Sequence, residues 1–388
     1  MASDIWYRKD KESNLYDYIA FYVDDFIIVS NHPAELATEL GEIFSIKEIG
    51  PPSRYLGADV RWANGYFHFA SSTYLTEVLE QLQRAGSLEE QPTSGFKKFK
   101  TPFEFKENDT TPLVPSDHPE FDDSELLDNV GHHLYQRMVG ILQWIVLIGR
   151  YDVCYATSSL SRFSSSPRQG HLDRVKRVFG YLRVNPNKSI RINPSHIGDL
   201  PEPMATNVMK NMKKAYPDAQ EEENPTDPEP LGKSLPITVF VDADHAHDHV
   251  TRRSITGILA FVGCTPIHAK SKRQTSVESS TYGAEFAAAR SATEYIIGMR
   301  LLMRALGVPL NGPSILLGDN RGVVESASNF TTVLIKKHNA ISYHRVREAV
   351  ASGIVDFRWI DGVNNLADLM TKPVAKVVHF KLVKEFMF

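Results

Sequence analysis

The sequence predicts an α+β multidomain chain whose last part is an α/β unit on a mixed five-stranded sheet. Three observations carry that expectation. The chain opens on strand-length apolar runs rich in Ile, Val, Phe and Tyr; helical periodicity takes over between Tyr135 and Leu182; and from about Leu235 the two patterns alternate. An acidic, proline-rich stretch divides the helical part from the alternating one.

The first element is a β-hairpin. Tyr18 to Ser30 reads as two strands interrupted only by Asp24-Asp25, so the hairpin tip presents two adjacent carboxylates directly after Tyr22-Val23. Such a pair suits a divalent cation, since Mg²⁺ takes one or two protein carboxylates and completes its shell with water and substrate phosphate. A solvated turn is the plainer alternative. Pro33 to Phe44 carries Leu36, Leu40 and Ile43-Phe44 at helical spacing. Tyr55–Trp62 and Tyr66–Ala70 are strands split by the hairpin signal Asn64-Gly65, and Ser71 to Arg84 is a helix with Leu75, Val78, Leu79 and Leu82 on one side. The helical middle breaks near Gly149-Arg150 and Ser164–Pro167. Its last helix, His171–Arg183, sets Leu172, Val175, Phe179 and Leu182 on one face and Arg174, Lys176, Arg177 and Arg183 mostly on the others. A face of that kind can lie along a phosphate backbone or simply meet solvent.

The chemistry accumulates after Leu235. Ile237–Val241 is a β-rich run ending in Asp242-Ala-Asp244, and strands at Thr256–Val262 and Pro266–Ser271 follow, joined by Gly263-Cys264-Thr265. Ser279-Ser280-Thr281 opens a helix to about Leu306 with Glu285 in its second turn. Strand Ser314–Leu317 delivers Asp319 and precedes a short helix. Helix His338–Ser352, strand Val355–Ile360 and a final helix around Asn365–Thr371, carrying Asp368, complete the unit. Three hairpin-connected strands, then helix, strand, helix, strand, helix is the element order of an RNase H-like fold, in which Asp242, Glu285, Asp319 and Asp368 converge. Carboxylates so placed suit phosphodiester hydrolysis with two metal ions about 3.5–4 Å apart, one activating the attacking water and one stabilising the leaving oxygen. Singly, each acid would be a capping residue. Their joint placement is what argues for chemistry.

Composition excludes several other classes. Two cysteines, Cys154 and Cys264, in 388 residues rule out a disulfide framework and a Cys-rich zinc site and fit a reducing, intracellular setting. The N-terminus lacks the apolar core of a signal peptide. The strongest apolar stretch, Val139 to Gly149, falls short of the roughly 20 residues a membrane span needs, so no membrane partner is expected. The net charge of −4 is unevenly spread. Residues 196–232 hold eight acids against three lysines, leaving the rest of the chain at +1, with basic clusters at Arg168–Arg183, Arg252-Arg253, Lys270–Arg273 and Lys336–Arg347. That balance is compatible with nucleic acid as partner and with plain solvated faces. The acidic segment itself is expected to be a solvated linker.

Motifs along the chain carry a resemblance. Asp4-Ile-Trp-Tyr-Arg-Lys, Tyr22-Val-Asp-Asp, Tyr55-Leu-Gly, Thr101-Pro, Tyr135-Gln-Arg-Met-Val-Gly, Arg150-Tyr-Asp-Val-Cys-Tyr-Ala and Leu160-Ser-Arg-Phe are followed by Val241-Asp-Ala-Asp-His-Ala, Arg252-Arg-Ser and Ser271-Lys-Arg-Gln. Ser280-Thr-Tyr-Gly-Ala-Glu-Phe, Asp319-Asn, Lys337-His, Tyr343-His and Leu366-Ala-Asp-Leu-Met-Thr-Lys-Pro complete the series. In this order and over nearly the whole chain they resemble the C-terminal part of a copia-type LTR-retrotransposon Pol polyprotein, from the end of its reverse transcriptase through its RNase H domain. The resemblance implies a partial palm and start of the thumb over 1–90, a helical thumb or connection region over 91–195, an acidic Pro-rich linker over 196–234, an RNase H domain over 235–376 and a tail over 377–388.

Carried residue by residue, the resemblance implies that Asp24 and Asp25 are metal-binding aspartates of a polymerase palm. It places a further aspartate and the fingers well before them, and only 21 residues precede Tyr22, so polymerase activity is expected to be absent. Asp242, Glu285, Asp319 and Asp368 match the complete RNase H quartet, implying two Mg²⁺ ions, with Mn²⁺ as an alternative. The implied substrate is an RNA–DNA hybrid, cut in its RNA strand. Other parts of the polyprotein are the implied protein partners, in the cytoplasm within a virus-like particle or in the nucleus.

Asp244 reads as a loop carboxylate near the site. His247 stands where the family usually has glycine and is expected to crowd the hybrid. His245, His247 and His249 alternate, but strand-end geometry should scatter them and no cysteine joins them, which disfavours a metal cluster. The loop Asp361-Gly-Val-Asn-Asn lacks the histidine that many cellular RNases H carry there, and His338 and His344 are expected to contact core or backbone. A hybrid is read through shape, phosphate and 2′-OH contacts. Ser279, Ser280 and Thr281 at a helix start, and Lys270, Lys272 and Arg273 beside it, are the candidates for those contacts, with capping as the alternative for the first three. Two other functions stay open: a catalytically inactive or domesticated nucleic-acid-binding remnant, and a subunit that needs a separate palm chain.

Overall fold

The computed structural model describes residues 4–46, 49–84, 99–103, 118–198, 200–202, 206–332, 334 and 339–388. Strands β1 (Ile5–Lys9), β2 (Tyr16–Tyr22) and β3 (Asp25–Val29) form an antiparallel three-stranded sheet, followed by α1 (Pro33–Gly41). Tyr22 pairs with Asp25, so Val23-Asp24 alone make the turn, and Val23 takes φ 54°, an uncommon conformation for a β-branched residue. β4 (Arg54–Tyr55), β5 (Ala58–Ala63), β6 (Tyr66–Ala70) and the later β7 (Ser189–Arg191) form a second antiparallel sheet. Its hairpin turns at Asn64-Gly65, both with positive φ (51° and 79°), as a two-residue turn requires.

The helical middle consists of α2 (Ser72–Arg84), α3 (Asn129–Leu147), α4 (Cys154–Ser161) and α5 (Gln169–Val184). They bury Leu75, Leu82, Tyr135, Met138, Leu142, Val175, Phe179 and Leu182 against one another. Helix α5 has less free basic surface than its sequence suggests. Val178, Gly180 and Tyr181 are also buried, Arg174 pairs with Asp122, and the Arg177 guanidinium lies over the Phe99 ring.

After α6 (Thr206–Ala215) come β8 (Ile237–Asp244), β9 (Ile255–Val262), β10 (Thr265–Arg273), α7 (Thr281–Ala305), β11 (Ser314–Gly318), α8 (Arg321–Ser328), α9 (Ala340–Ala351), β12 (Val355–Trp359) and α10 (Lys376–Val383). The strands form one mixed five-stranded sheet in the order β10-β9-β8-β11-β12. β8, β9 and β10 are antiparallel neighbours; β11 runs parallel to both β8 and β12. This is the strand arrangement expected of an RNase H-like unit. Crossover helices explain the parallel pairs, and the near-continuous apolar β8 and β9 reflect burial on both faces. One face packs on α7 and α9 through Val239, Val241, Phe286, Ile296, Val346 and Val350.

The other face corrects two expectations. Phe240, Leu259, Phe261 and Leu317 share a core with Tyr151, Cys154 and Ile190 of the middle region and with Leu382, Phe386 and Met387. Residues 377–388 are therefore a docked helix and buried apolar end in place of a tail, and Phe388 exchanges backbone hydrogen bonds with Ser189 in both directions. Residues 196–234, expected as a solvated linker, fold back as well: Met212 of α6 is fully buried beneath α9, and Glu221 accepts two bonds from Arg300 at 2.6 and 2.8 Å and pairs with Arg304 at 2.7 Å. One acid of the segment, Glu221, thus serves arginines on α7, while Glu202, Asp218, Glu222, Glu223 and Glu229 stay exposed as expected. At the same junction the buried Arg150 and Asp152 form a two-pronged pair at 2.9 and 2.8 Å, and the Tyr181 hydroxyl donates to Asp152 at 2.7 Å and meets His379 of α10 at 3.0 Å. Among the described residues no helix is long and apolar enough to cross a membrane.

Candidate active site

Four acids from four elements meet at the C-terminal end of the central strands β8 and β11. Asp242 is buried near the C-terminal end of β8, Asp319 follows β11, Glu285 opens the second turn of α7, and Asp368 lies on a 3-10 segment, Leu366–Met370, where a regular helix was expected. The start of α7 is fixed by the Ser280 side chain, which accepts from the Gly283 amide. Asp242, Glu285 and Asp319 each offer a ligand oxygen, and these atoms all lie within 4.8 Å of one another.

The 3-10 segment is brought onto the sheet by an absence of side chain. Gly257 of β9 pairs with Asp242, and a Cβ there would meet Thr371 Cγ2 at 2.6 Å and the Ala367 carbonyl oxygen at 2.8 Å. Three contacts then fix the acids. Asn365, fully buried, donates to the Val241 carbonyl at 3.0 Å; the Thr371 hydroxyl donates to Asp242 Oδ2; and the Trp359 indole nitrogen donates to the Asp319 carbonyl at 2.9 Å. Lys372 closes the group, its Nζ 2.8 Å from Asp368 Oδ1 and 3.6 Å from Asp242 Oδ2.

Crowding shows in the acidities. Burial, and then the Asp242 and Asp319 charges, hold the Glu285 carboxyl well above the usual range. Burial and Asp242 likewise raise Asp319, and push Asp368 up to about 7 against the opposing charge of Lys372. Burial alone would lower Lys372, but Asp242 and Asp368 more than offset it and hold its ammonium charged. Buried carboxylates that repel one another are the donor set a hard divalent cation takes up. The residues present fit such an ion.

The other candidate residues fall into different places. Asp24 and Asp25 are exposed on the hairpin of the first sheet, and the group of three acids in metal-holding geometry among the described residues does not include them. Ser279 and Thr281 are exposed on either side of the capping Ser280. Lys270 and Lys272 lie on β10, Lys272 exposed and Lys270 half-buried. Arg273 pairs with the buried Asp248 at 2.6 Å, an acid that Arg162 of the middle region also binds at 2.9 Å, so its first commitment is structural. His247 has both ring nitrogens engaged within the protein. Its Nδ1 lies 2.6 Å from Asp244 Oδ2 and its Nε2 2.8 Å from the Tyr155 hydroxyl of α4, which clamps the turn after β8 onto the helical region. His245 meets the Glu278 carbonyl and His249 packs on the His118 ring, so the three histidines disperse. His344 meets the Tyr216 hydroxyl at 2.7 Å, and His338 lies outside the described residues.

Sequence reasoning did not single out Gly257, Trp359, Asn365, Thr371 or Lys372. A signal existed for the last two, since Thr371-Lys372 closes the Leu366–Pro373 motif and Lys372 stands four residues after Asp368.

Sheet order and converging acids define the class: an RNase H-like unit joined to a preceding α+β region. The chain is also homologous, over 92% and 99% of its length respectively, to the retrovirus-related Pol polyproteins from transposon RE1 of Arabidopsis thaliana (26% identity over 363 residues) and transposon TNT 1-94 of Nicotiana tabacum (24% over 388 residues). It spans 21% and 25% of their respective lengths. Among solved structures, the N-terminal RNase H domain of a Mycobacterium tuberculosis protein, fused to maltose-binding protein, aligns with 39% of this chain and 98% of its own at 14% identity and a TM-score of 0.28. No protein-family model matches the chain.

Proposed function

We propose that this chain is a metal-dependent endoribonuclease that cuts the RNA strand of RNA–DNA hybrids, as the RNase H part of a retrotransposon Pol protein. The observation that carries this reading is the mutual approach of Asp242, Glu285 and Asp319 to within 4.8 Å, with Asp368 joined to Asp242 through Lys372.

Asp242, Glu285, Asp319 and Asp368 would hold Mg²⁺, which when bound supplies an activated water and charge stabilisation for the leaving oxygen. The protein's own contribution is placement. Thr371 and Asn365 hold Asp242 and the strand end beneath it in one orientation, Trp359 fixes the backbone of Asp319, and burial keeps Glu285 at the floor of the site. Lys272, Ser279 and Thr281 are exposed and suited to phosphate or 2′-OH contacts. Hybrid cleavage by the purified chain with Mg²⁺, compared with Asp319→Asn, tests the reading. Metal-dependent cutting of the RNA strand, reduced at least about 100-fold in the variant, is expected. Hybrid binding without cutting by the unmutated chain would instead support the inactive binding remnant.

A further inference from the structure

We propose that Lys372 is a built-in counter-cation that occupies the Asp242–Asp368 half of the site and must swing out before a second metal ion enters, so that metal loads in two unequal steps. The inference rests on the metal-dependent reading above and goes beyond it by dividing the quartet. One half, Asp242 with Glu285 and Asp319, has its ligand atoms within 4.8 Å, and among the described residues no lysine, arginine or histidine forms an ion pair with Glu285 or Asp319. The other half already holds a positive charge, with Nζ at 2.8 Å from Asp368 and 3.6 Å from Asp242. A metal ion entering there competes with the ammonium for the same Asp368 and Asp242 oxygens, and the two like charges repel.

Lys372 is also built to leave. Its side chain is 38% exposed, whereas those of Asp242 and Asp368 are 4% and 17% exposed, so the ammonium reaches the acids from the solvent side. A lysine head on a flexible four-carbon stem can rotate into water without moving the backbone. Thr371, fully buried and bonded to Asp242, keeps the segment in place while the neighbouring side chain moves. The first ion thus meets Glu285 and Asp319 unpaired and Asp242 only loosely held by Lys372 at 3.6 Å, whereas the second must displace the ammonium from its 2.8 Å contact with Asp368.

The test is Mn²⁺ binding to the full chain without nucleic acid, followed by calorimetry and by the paramagnetic signal of the free ion. The unmutated chain is expected to bind one ion tightly and a second more weakly. Lys372→Met should strengthen the second step roughly tenfold, the size of a one-unit electrostatic effect, and leave the first within about threefold. Lys372→Arg, which keeps the charge, should not strengthen it. Thermal unfolding supplies a second readout: without metal Lys372→Met should melt below the unmutated chain, yet gain more from added Mn²⁺. Equal second-step affinity in the Met variant and the unmutated chain overturns this inference and leaves the nuclease reading standing. Failure of the unmutated chain to bind Mn²⁺ at all overturns both.

Discussion

At the scale of single residues, the weakened acidities of Glu285, Asp319 and Asp368, whose pKa values are all raised, make a prediction about stability. A carboxyl whose affinity for protons is higher in the folded chain than in the unfolded one binds more protons when folded, so stability falls as pH rises. For Asp368 the window runs from the ordinary value near 4 up to about 7. Without divalent metal, the site should therefore cost roughly 1–3 kcal/mol of stability between pH 4 and pH 7. Chemical denaturation across that range should show this slope in the unmutated chain, a flatter one for Glu285→Gln, and its suppression by Mg²⁺. An Mg²⁺-independent slope would contradict it. The acids themselves were legible in the sequence because strand ends and helix starts mark them. Their supports were not, since Thr371 meets Asp242 across 129 residues and Asn365 meets Val241 across 124, distances at which no local pattern exists.

At the scale of elements, Gly257 is the position where a strand and a 3-10 segment touch. Gly257→Val places methyl groups where Thr371, Met370 and the Ala367 carbonyl already stand, within 2.6–2.8 Å of even a Cβ. The expected outcome is a loss of about 2–4 kcal/mol and of metal affinity together, because Asp368 and Thr371 are pushed off Asp242. A variant with unchanged melting and unchanged Mn²⁺ binding would show that the segment yields freely. Element order was well read from periodicity, down to Ser280 as a helix cap and Asn64-Gly65 as a turn. The misreadings have a shared cause. Residues 196–234 and 377–388 were judged by their own composition, while Met212, Glu221, Phe386 and Met387 find partners on surfaces far away in the chain.

At the scale of the molecule, the five-stranded sheet has two apolar faces, one covered by α7 and α9 and the other only in part by its own unit, through Leu366, Leu369 and Met370 of the 3-10 segment. The rest of the cover over Phe240, Leu259, Phe261 and Leu317 comes from Tyr151, Cys154 and Ile190 of the middle region and from Leu382, Val383, Phe386 and Met387. Residues 235–376 expressed alone would expose that face. They should bind a hydrophobic dye, elute as aggregates and unfold without a sharp transition, whereas residues 119–388 should melt cooperatively. A monomeric, cooperatively melting 235–376 fragment would refute the shared core. Sequence alone drew a border at this point because composition changes there, and packing crosses it.

The clamp between His247 and Tyr155 makes the shared core a mechanical link. Through His247 the turn after β8 is tied on one side to Asp244 and on the other to α4, a helix that bears no acids at all. Any strain that displaces α4 is therefore passed to the strand that carries Asp242, and the stiffness of the acid cluster is set partly by a region that contributes no ligand to it.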